Sequence, residues 1–266
     1  MTRWSPTSRA SSARRAATRG SPRSARRACR YDTLAESLLN HPQVQAQGLV
    51  TLLEQTGGGD ILSQQPHWTF DKTQASIQRP SPMFGEHQDE IMAELQAWTP
   101  SAAPAPIAHT GDLAMSGLKV VDFSQGISGP LAGMQFGDLG ADVIKVEPPE
   151  GDWMRQTPPF QGGEGALYLQ LNRNKRSIAV DLKTPEGVAL AKRLVADADV
   201  VIEGYRPGVM ACLGLDYATL SKDNPRLVYC SISGYGSSGP LAEVPATELD
   251  IQVAVGAMRH VGPIGK

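Results

Sequence analysis

Residues 118–147, LKVVDFSQGISGPLAGMQFGDLGADVIKVE, decide the fold. Lys119–Phe123 is a short run with Val120 and Val121 at its centre, the composition of a buried strand. A turn containing Gly126, Gly129 and Gly133 follows and opens a helix over Pro130–Leu139, which carries Ala132, Met134 and Phe136. Asp142–Glu147 is a second β-rich run. Strand, tight turn, helix and strand form a βαβ unit, in which the helix carries the chain back so that the two strands run parallel.

The alternation continues downstream. Leu167–Leu171 is a short helical or extended piece, and Arg176–Asp181 is a third strand. Thr184-Pro185-Glu186 then opens a helix, with Thr as N-cap and Pro at the first helical position. Val188, Ala191, Leu194 and Val195 share one face of it. Asp199–Glu203 is a fourth strand, Pro207–Leu213 and Ala218–Leu220 are short helices, and Leu227–Ile232 is a fifth strand. This order predicts an α/β fold with a Rossmann-like, doubly wound parallel sheet that binds its ligand at the carboxyl ends of the strands.

Upstream, residues 1–30 hold nine arginines and no acid, and are otherwise mostly Ser, Ala, Thr, Gly and Pro. Such a segment buries too little apolar surface to offset its conformational entropy and reads as disordered. Residues 31–98 are globular in composition: a short helix over Thr33–Leu39, a strand around Val50, Leu52 and Leu53, a turn at Gly57-Gly58-Gly59, and a helix through Ile91, Met92 and Leu95. Residues 99–116 form a Pro/Ala-rich linker, and 117–266 form the α/β unit.

Bulk properties narrow the function. The net charge of −2 conceals an acidic body, since residues 31–266 carry 16 basic and 27 acidic side chains. That balance argues against nucleic acid as a partner. No apolar run approaches the ~20 residues of a membrane span, so no membrane partner is expected. Cys29, Cys212 and Cys230 match no zinc or redox spacing, so no metal is expected, and they point to a reduced, cytoplasmic setting. Cys212 lacks an accompanying histidine and reads as a small core residue.

The glycine-rich turn admits two readings. A turn opening a helix can hold phosphate on backbone N–H groups, and Glu147 sits about where a ribose-binding acid would stand in a dinucleotide site. The glycines run G-x-x-G-x-x-x-G instead of G-x-G-x-x-G, however, and Pro130 removes an N–H, so NAD is disfavoured. On the other reading, Gly129 and Gly133 allow close packing of helix on sheet.

Five stretches in order resemble one family: residues 118–140, 141–151 (ADVIKVEPPEG), 174–187 (NKRSIAVDLKTPEG), 199–214 (DVVIEGYRPGVMACLG) and 224–240 (NPRLVYCSISGYGSSGP). They resemble the class III CoA-transferases, which include formyl-CoA:oxalate and carnitine CoA-transferases. The resemblance implies a Rossmann-like large domain, a small second domain that this chain lacks, and interlocked homodimers. It implies coenzyme A as substrate and product, with no tightly bound cofactor, and an acyl-CoA and a carboxylic acid as the exchanging partners. By similarity, Ile127 and Ser128, then Val180, Asp181, Leu182 and Lys183, then Gly204, Tyr205 and Arg206 contact coenzyme A. Lys183 and Arg206 can meet its phosphates, and Tyr205 offers a face for adenine. Formyl-CoA transferases have arginines where this chain has Pro148 and Cys212, and asparagine where it has Gly204. Fewer cations imply weaker binding of the coenzyme's phosphates, or a shift of that role to Arg155 or Arg206.

The family's nucleophile is an aspartate. Its carboxylate attacks the acyl-CoA carbonyl to give a mixed anhydride; the released thiolate then forms an enzyme thioester, which passes CoA to the acceptor acid. That position falls some twenty residues beyond the one matched by Gly256, and so past Lys266; no catalytic residue is assigned in this chain. Asp250 precedes Gly256 in a helical segment and is not given the role.

Residues 41–50 (HPQVQAQGLV) and 79–95 (RPSPMFGEHQDEIMAEL) resemble the last part of a class III chain. The sequence therefore reads as a fragment of a tandem fusion: the tail of one unit, a linker and the head of a second, with the tail able to dock on the head. His87 is expected to fix the loop before the final helix. An inactive CoA-binding fragment is one alternative. An α-methylacyl-CoA racemase is another, disfavoured because Thr247 and Glu248 stand where that chemistry requires histidine, and His260 lies on the wrong side.

Overall fold

The computed structural model describes residues 42–98, apart from 67, 69 and 71, and residues 111–255. The expectations for 1–30, Thr33–Leu39, the 99–110 linker and His260 lie outside the described residues. Helix α1 (Pro42–Gln47) leads into a hairpin of β1 (Val50–Glu54) and β2 (Asp60–Gln64), turned at Gly58 and Gly59, whose φ values are positive. An extended stretch reaches α2 (Gln88–Ala97). Beyond residue 111 come β3 (Lys119–Asp122), α3 (Ser128–Asp138), β4 (Asp142–Glu147) and a single 3₁₀ turn (Trp153–Gln156). A two-residue hairpin, β5 (Phe160–Gln161) and β6 (Glu164–Gly165), precedes α4 (Ala166–Leu171), β7 (Lys175–Ala179), α5 (Pro185–Ala196) and β8 (Val200–Glu203). The single turns α6 (Val209–Cys212) and α7 (Tyr217–Leu220), strand β9 (Val228–Ser231) and α8 (Glu248–Ala254) complete the order.

Five strands form one parallel sheet in the order β7-β4-β3-β8-β9. The chain builds outward from β3 to β4 and β7, then returns to the other side of β3 for β8 and β9. The order reverses between β3 and β8, which makes their carboxyl ends the switch-point crevice of a doubly wound sheet. The α/β expectation is met.

Strand periodicity divides the core between two faces. Val121, Phe123, Val146, Ile178 and Val201 point to one face, where they meet Ala191, Leu194 and Val195 of α5 and Ile91 and Leu95 of α2. Val120, Val143, Val200 and Ile202 point to the other, against Ala132 and Phe136 of α3. Thr184 caps α5 by accepting the Gly187 N–H at 3.1 Å, as its sequence position requires. Cys212 departs from expectation: α6 is a single turn whose buried residue is Met210, and the Cys212 thiol is exposed and not in the core.

The segment before residue 98 docks on the α/β unit. Ile91 is fully buried in the main core, which stabilises the contact by ~1.5–3 kcal/mol. Leu53 and Ile61 of the hairpin pack on Met154, Tyr168 and Leu169. Along the outer side of β7, the Asn174 N–H donates to the Arg79 carbonyl, the Ser177 N–H to His87 Nδ1 and the Ala179 N–H to Gln88 Oε1. Arg176 fixes the joint from the sheet's amino end, with Glu90 and Glu94 of α2 at 2.8 and 2.7 Å and Asp142 at 2.5 Å. A polar cleft of about 300 Å³ beside this joint is lined by Arg79, Glu90, Asp142 and Arg176. It lies at the opposite end of the sheet from the switch point.

Candidate functional site

The turn after β3 and the segment after β8 face each other across the switch point. A Cβ placed on Gly204 would stand 3.6 Å from Ser124 Cβ and 3.8 Å from the Ile232 carbonyl. The Gln125 side chain, just past β3, acts on the Tyr205 hydroxyl and lowers its pKa in part. Burial raises the Tyr205 hydroxyl above its ordinary pKa, so it stays a neutral phenol. Ile127, Ser128, Gly204 and Arg206 are exposed around this crevice.

The glycines hold the turn against the sheet. A side chain on Gly129 would collide with Ser124, and one on Gly133 would meet Asp122 Oδ2 at 2.7 Å and Lys175 Nζ at 3.1 Å. The close-packing reading of these glycines therefore accounts for them. Gly126 adopts φ +81°, a left-handed conformation that favours glycine.

Beneath the turn lies a buried ionic layer that the sequence did not reveal. Lys175 Nζ contacts Asp122 Oδ2 at 2.8 Å, the Pro130 carbonyl at 2.8 Å and Asn172 Oδ1 at 2.9 Å. Lys145 Nζ donates to the Ser124 carbonyl and pairs with Asp152 Oδ2, both at 2.9 Å. Asp122 Oδ1 accepts the Ser124 N–H at 2.9 Å and also the Ser124 hydroxyl. Asp152 Oδ1 accepts N–H groups from Met154 at 3.0 Å and Gly126 at 3.4 Å. Both lysines therefore reach the turn, one through its carbonyl and one through its helix. Burial lowers Lys175 to about 8 in spite of Asp122. For Asp122, burial raises the carboxyl, but Lys175 and Lys145 more than reverse it and leave it below its ordinary range.

A second buried node stands one strand further out. Arg155 grips Glu147 through two nitrogens, at 2.8 and 2.7 Å, and donates to Tyr168 Oη at 2.5 Å and to the Pro82 carbonyl at 3.2 Å. Ser177 Oγ donates to Glu147 at 2.6 Å. Burial alone would raise Glu147, but the Arg155 hydrogen bonds and charge hold it below the ordinary carboxylate range. Glu147 is thus committed and cannot serve a ribose, and Arg155 is committed and cannot replace a missing phosphate-binding cation. Arg206 and Lys183 remain exposed for that role.

The third predicted contact segment follows β7 along the same carboxyl edge. Asp181 closes its turn, its carbonyl accepting the Thr184 N–H and its carboxylate the Lys183 N–H. Val180 is buried, and Leu182 packs against the main core, so Lys183 supplies the exposed charge. The structure places this segment two strands from the crevice. The carboxylates nearest the crevice are engaged: Asp122 and Asp152 with lysines, Glu147 with Arg155, and Glu203 with the Tyr205 N–H at 2.9 Å. On α8, Asp250 accepts the N–H and hydroxyl of Thr247, both at 2.7 Å. These bonds hold its carboxyl below the ordinary value and occupy the threonine that stands at the racemase histidine position.

Sequence and structure comparisons agree with this architecture. The human succinyl-CoA:glutarate CoA-transferase is 44% identical over 151 residues, covering 56% of this chain and 34% of the relative. The succinate–glutarate CoA-transferase of Agrobacterium fabrum is 46% identical over 156 residues, covering 56% and 39%. The crystal structure of a CAIB/BAIF family protein from Brucella suis matches 58% of this chain and 42% of its own, at 45% identity and a TM-score of 0.54. The chain thus spans a little over a third of the length of the curated relatives it matches. The model of CoA-transferase family III matches residues 115–266, more than half of the sequence. With its switch-point crevice and these relatives together, the chain belongs to CoA-transferase family III.

Proposed function

We propose that residues 115–255 form the coenzyme-A-binding half of a transferase that moves CoA between an acyl-CoA and a carboxylic acid. The observation that supports this reading is the convergence at the switch point, where the β3 turn that carries Ile127 and Ser128 begins at Ser124, in contact range of Gly204 at the head of the Gly204-Tyr205-Arg206 segment. Arg206 and Lys183 supply cationic contacts for the coenzyme's phosphates, and the backbone of the β3 turn approaches its pantetheine arm. Tyr205, partly buried and packed against the main core, offers its remaining open side to the adenine. The attacking carboxylate is assigned to the aspartate expected beyond Lys266, in the part of the relatives' length that this chain does not span. The exchange then runs through the mixed anhydride and enzyme thioester of covalent catalysis. A cytoplasmic setting and a homodimeric whole protein belong to the same reading.

A second reading is favoured by one observation: each carboxylate near the crevice is already engaged. On that reading the chain by itself binds coenzyme A without turning it over.

Calorimetric titration with coenzyme A and with NADH, followed by a CoA-exchange assay, tests both. Coenzyme A binding with no NADH binding is expected. NADH binding in the absence of CoA binding would overturn the assignment, and exchange activity would overturn the second reading.

A further inference from the structure

Three exposed apolar side chains stand on neighbouring segments at the carboxyl edge of the sheet, on the β4 side of the candidate turn. Trp153 is 56% exposed, Phe84 42% and Ile127 39%. Close approaches link the backbone segments that carry them. The six-membered ring of Trp153 lies 3.0 Å from where a Cβ on Gly126 would stand, and Ile127 is the next residue. Phe84 lies 3.4 Å from the corresponding position on Gly151, two residues before Trp153.

Buried polar contacts anchor these segments. Asp152 sits between Gly151 and Trp153, is fully buried, caps the 3₁₀ turn through Met154 N–H and receives the Gly126 N–H. Its pairing with Lys145 anchors it to the sheet. Phe84 is anchored by its neighbours: Arg155 donates to the Pro82 carbonyl, and the Gly85 N–H donates to Ser177 Oγ at 3.1 Å. An indole kept in water at this exposure, on a fixed backbone, is a preorganised flat surface, which lowers the ordering cost of binding.

Chemistry selects the occupant. The cluster begins on the turn assigned above to coenzyme A, so a thioester arm lying on Ile127-Ser128 would continue onto Trp153, which lies against Gly126. Arg155, beside Phe84, is spent on Glu147 and Glu164, so it offers no charge to a carboxylated acyl group. We propose that Trp153 is a specificity-determining residue whose indole, with Phe84 and Ile127, receives the acyl portion of an acyl-CoA and favours an apolar acyl chain over a carboxylated one. This assignment rests on the coenzyme-A reading of the crevice and deepens it.

The test is titration of the full chain with coenzyme A, acetyl-CoA, octanoyl-CoA and succinyl-CoA. The wild-type chain is expected to bind octanoyl-CoA more tightly than acetyl-CoA and succinyl-CoA. In Trp153→Ala that preference falls about tenfold, which is ~1.4 kcal/mol, and in Trp153→Phe most of it returns. Trp153→Gln provides a second apolar-to-polar variant should the alanine variant fold poorly. Equal octanoyl preference in wild type and in the Ala and Gln variants would sink the acyl assignment while leaving coenzyme A binding in place. A tighter grip on succinyl-CoA than on octanoyl-CoA would also sink it. Failure of the wild-type chain to bind any of the four would remove the crevice reading, and this assignment with it.

Discussion

His87 and Ser177, ninety residues apart in sequence, exchange two hydrogen bonds. The His87 N–H donates to the Ser177 carbonyl at 3.1 Å, and the Ser177 N–H donates to His87 Nδ1 at 3.3 Å. The second bond requires an unprotonated Nδ1. Burial lowers His87 below its ordinary 6.5. Its folded pKa is therefore below its unfolded one, so the contribution is whole above 6.5 and is lost as pH falls through the folded value. The flanking charges Glu86, Glu90, Arg79 and Arg176 act on the ring in both directions, and desolvation outweighs them. Thermal melts at pH 7.5 and pH 5 are expected to differ more for the wild type than for His87→Gln, and hydrogen exchange at residues 85–98 should quicken selectively at pH 5.

Glu147 and Arg155 form the most heavily committed buried pair. Glu147→Gln leaves the guanidinium inside with one charge partner fewer and should cost about 3–5 kcal/mol in urea unfolding. Glu147 and Asp122 both titrate below their ordinary values of 4.5 and 3.8. The stability they confer is complete above those values and is lost as pH falls through the lower folded ones. The acid limb of the stability curve should therefore be shallower in Glu147→Gln than in the wild type.

Gly126 has a left-handed backbone and the Trp153 ring against its open side. Gly126→Ala should destabilise by about 1–2 kcal/mol from the backbone alone and turn the indole outward, which tryptophan fluorescence would register as a red shift. Gly204→Ala is the control. Its new Cβ meets only ordinary contacts at 3.6 and 3.8 Å, so the melting temperature should hold.

Arg206 and Lys183 are the two exposed cations assigned to the phosphates. Arg206→Ala should raise the Kd for coenzyme A about tenfold at low salt, ~1.4 kcal/mol, with a smaller loss at 0.5 M salt because screening has already weakened the pair. Lys183→Ala should behave similarly but more weakly, since a lysine meets phosphate as a point charge without the fork of arginine. Equal Kd values for wild type and both variants at low salt would remove these residues from the site.

The sheet was legible because Val120, Val121, Val143, Val146, Val200 and Val201 alternate across its two faces and need no partner to be recognised as strand. The turn that opens the candidate site was legible for a related reason: a glycine turn between a first strand and a helix is a local pattern, and the structure has it there. The ionic layer under that turn was not. In sequence, Lys145 and Lys175 look like solvated charges; they become buried only when β4 and β7 take central and outer places in the sheet and aim them at Asp152 and Asp122. Arg155 misled for the same reason, since its partner Glu147 belongs to another element and Tyr168 to a third. Cys212 misled in the opposite sense, because the single turn gives its inner position to Met210, two residues earlier, and leaves Cys212 on the outer side.

Strand β7 stands at one margin of the sheet, with one row of its backbone groups turned away from β4. Arg79, His87 and Gln88 occupy that row in place of another strand. An uncovered parallel margin of this kind is a template onto which further copies can add. The segment before residue 98 therefore also acts as a guard against edge-to-edge self-association. A chain shortened to begin at residue 111 should show it by concentration-dependent light scattering that the full chain lacks.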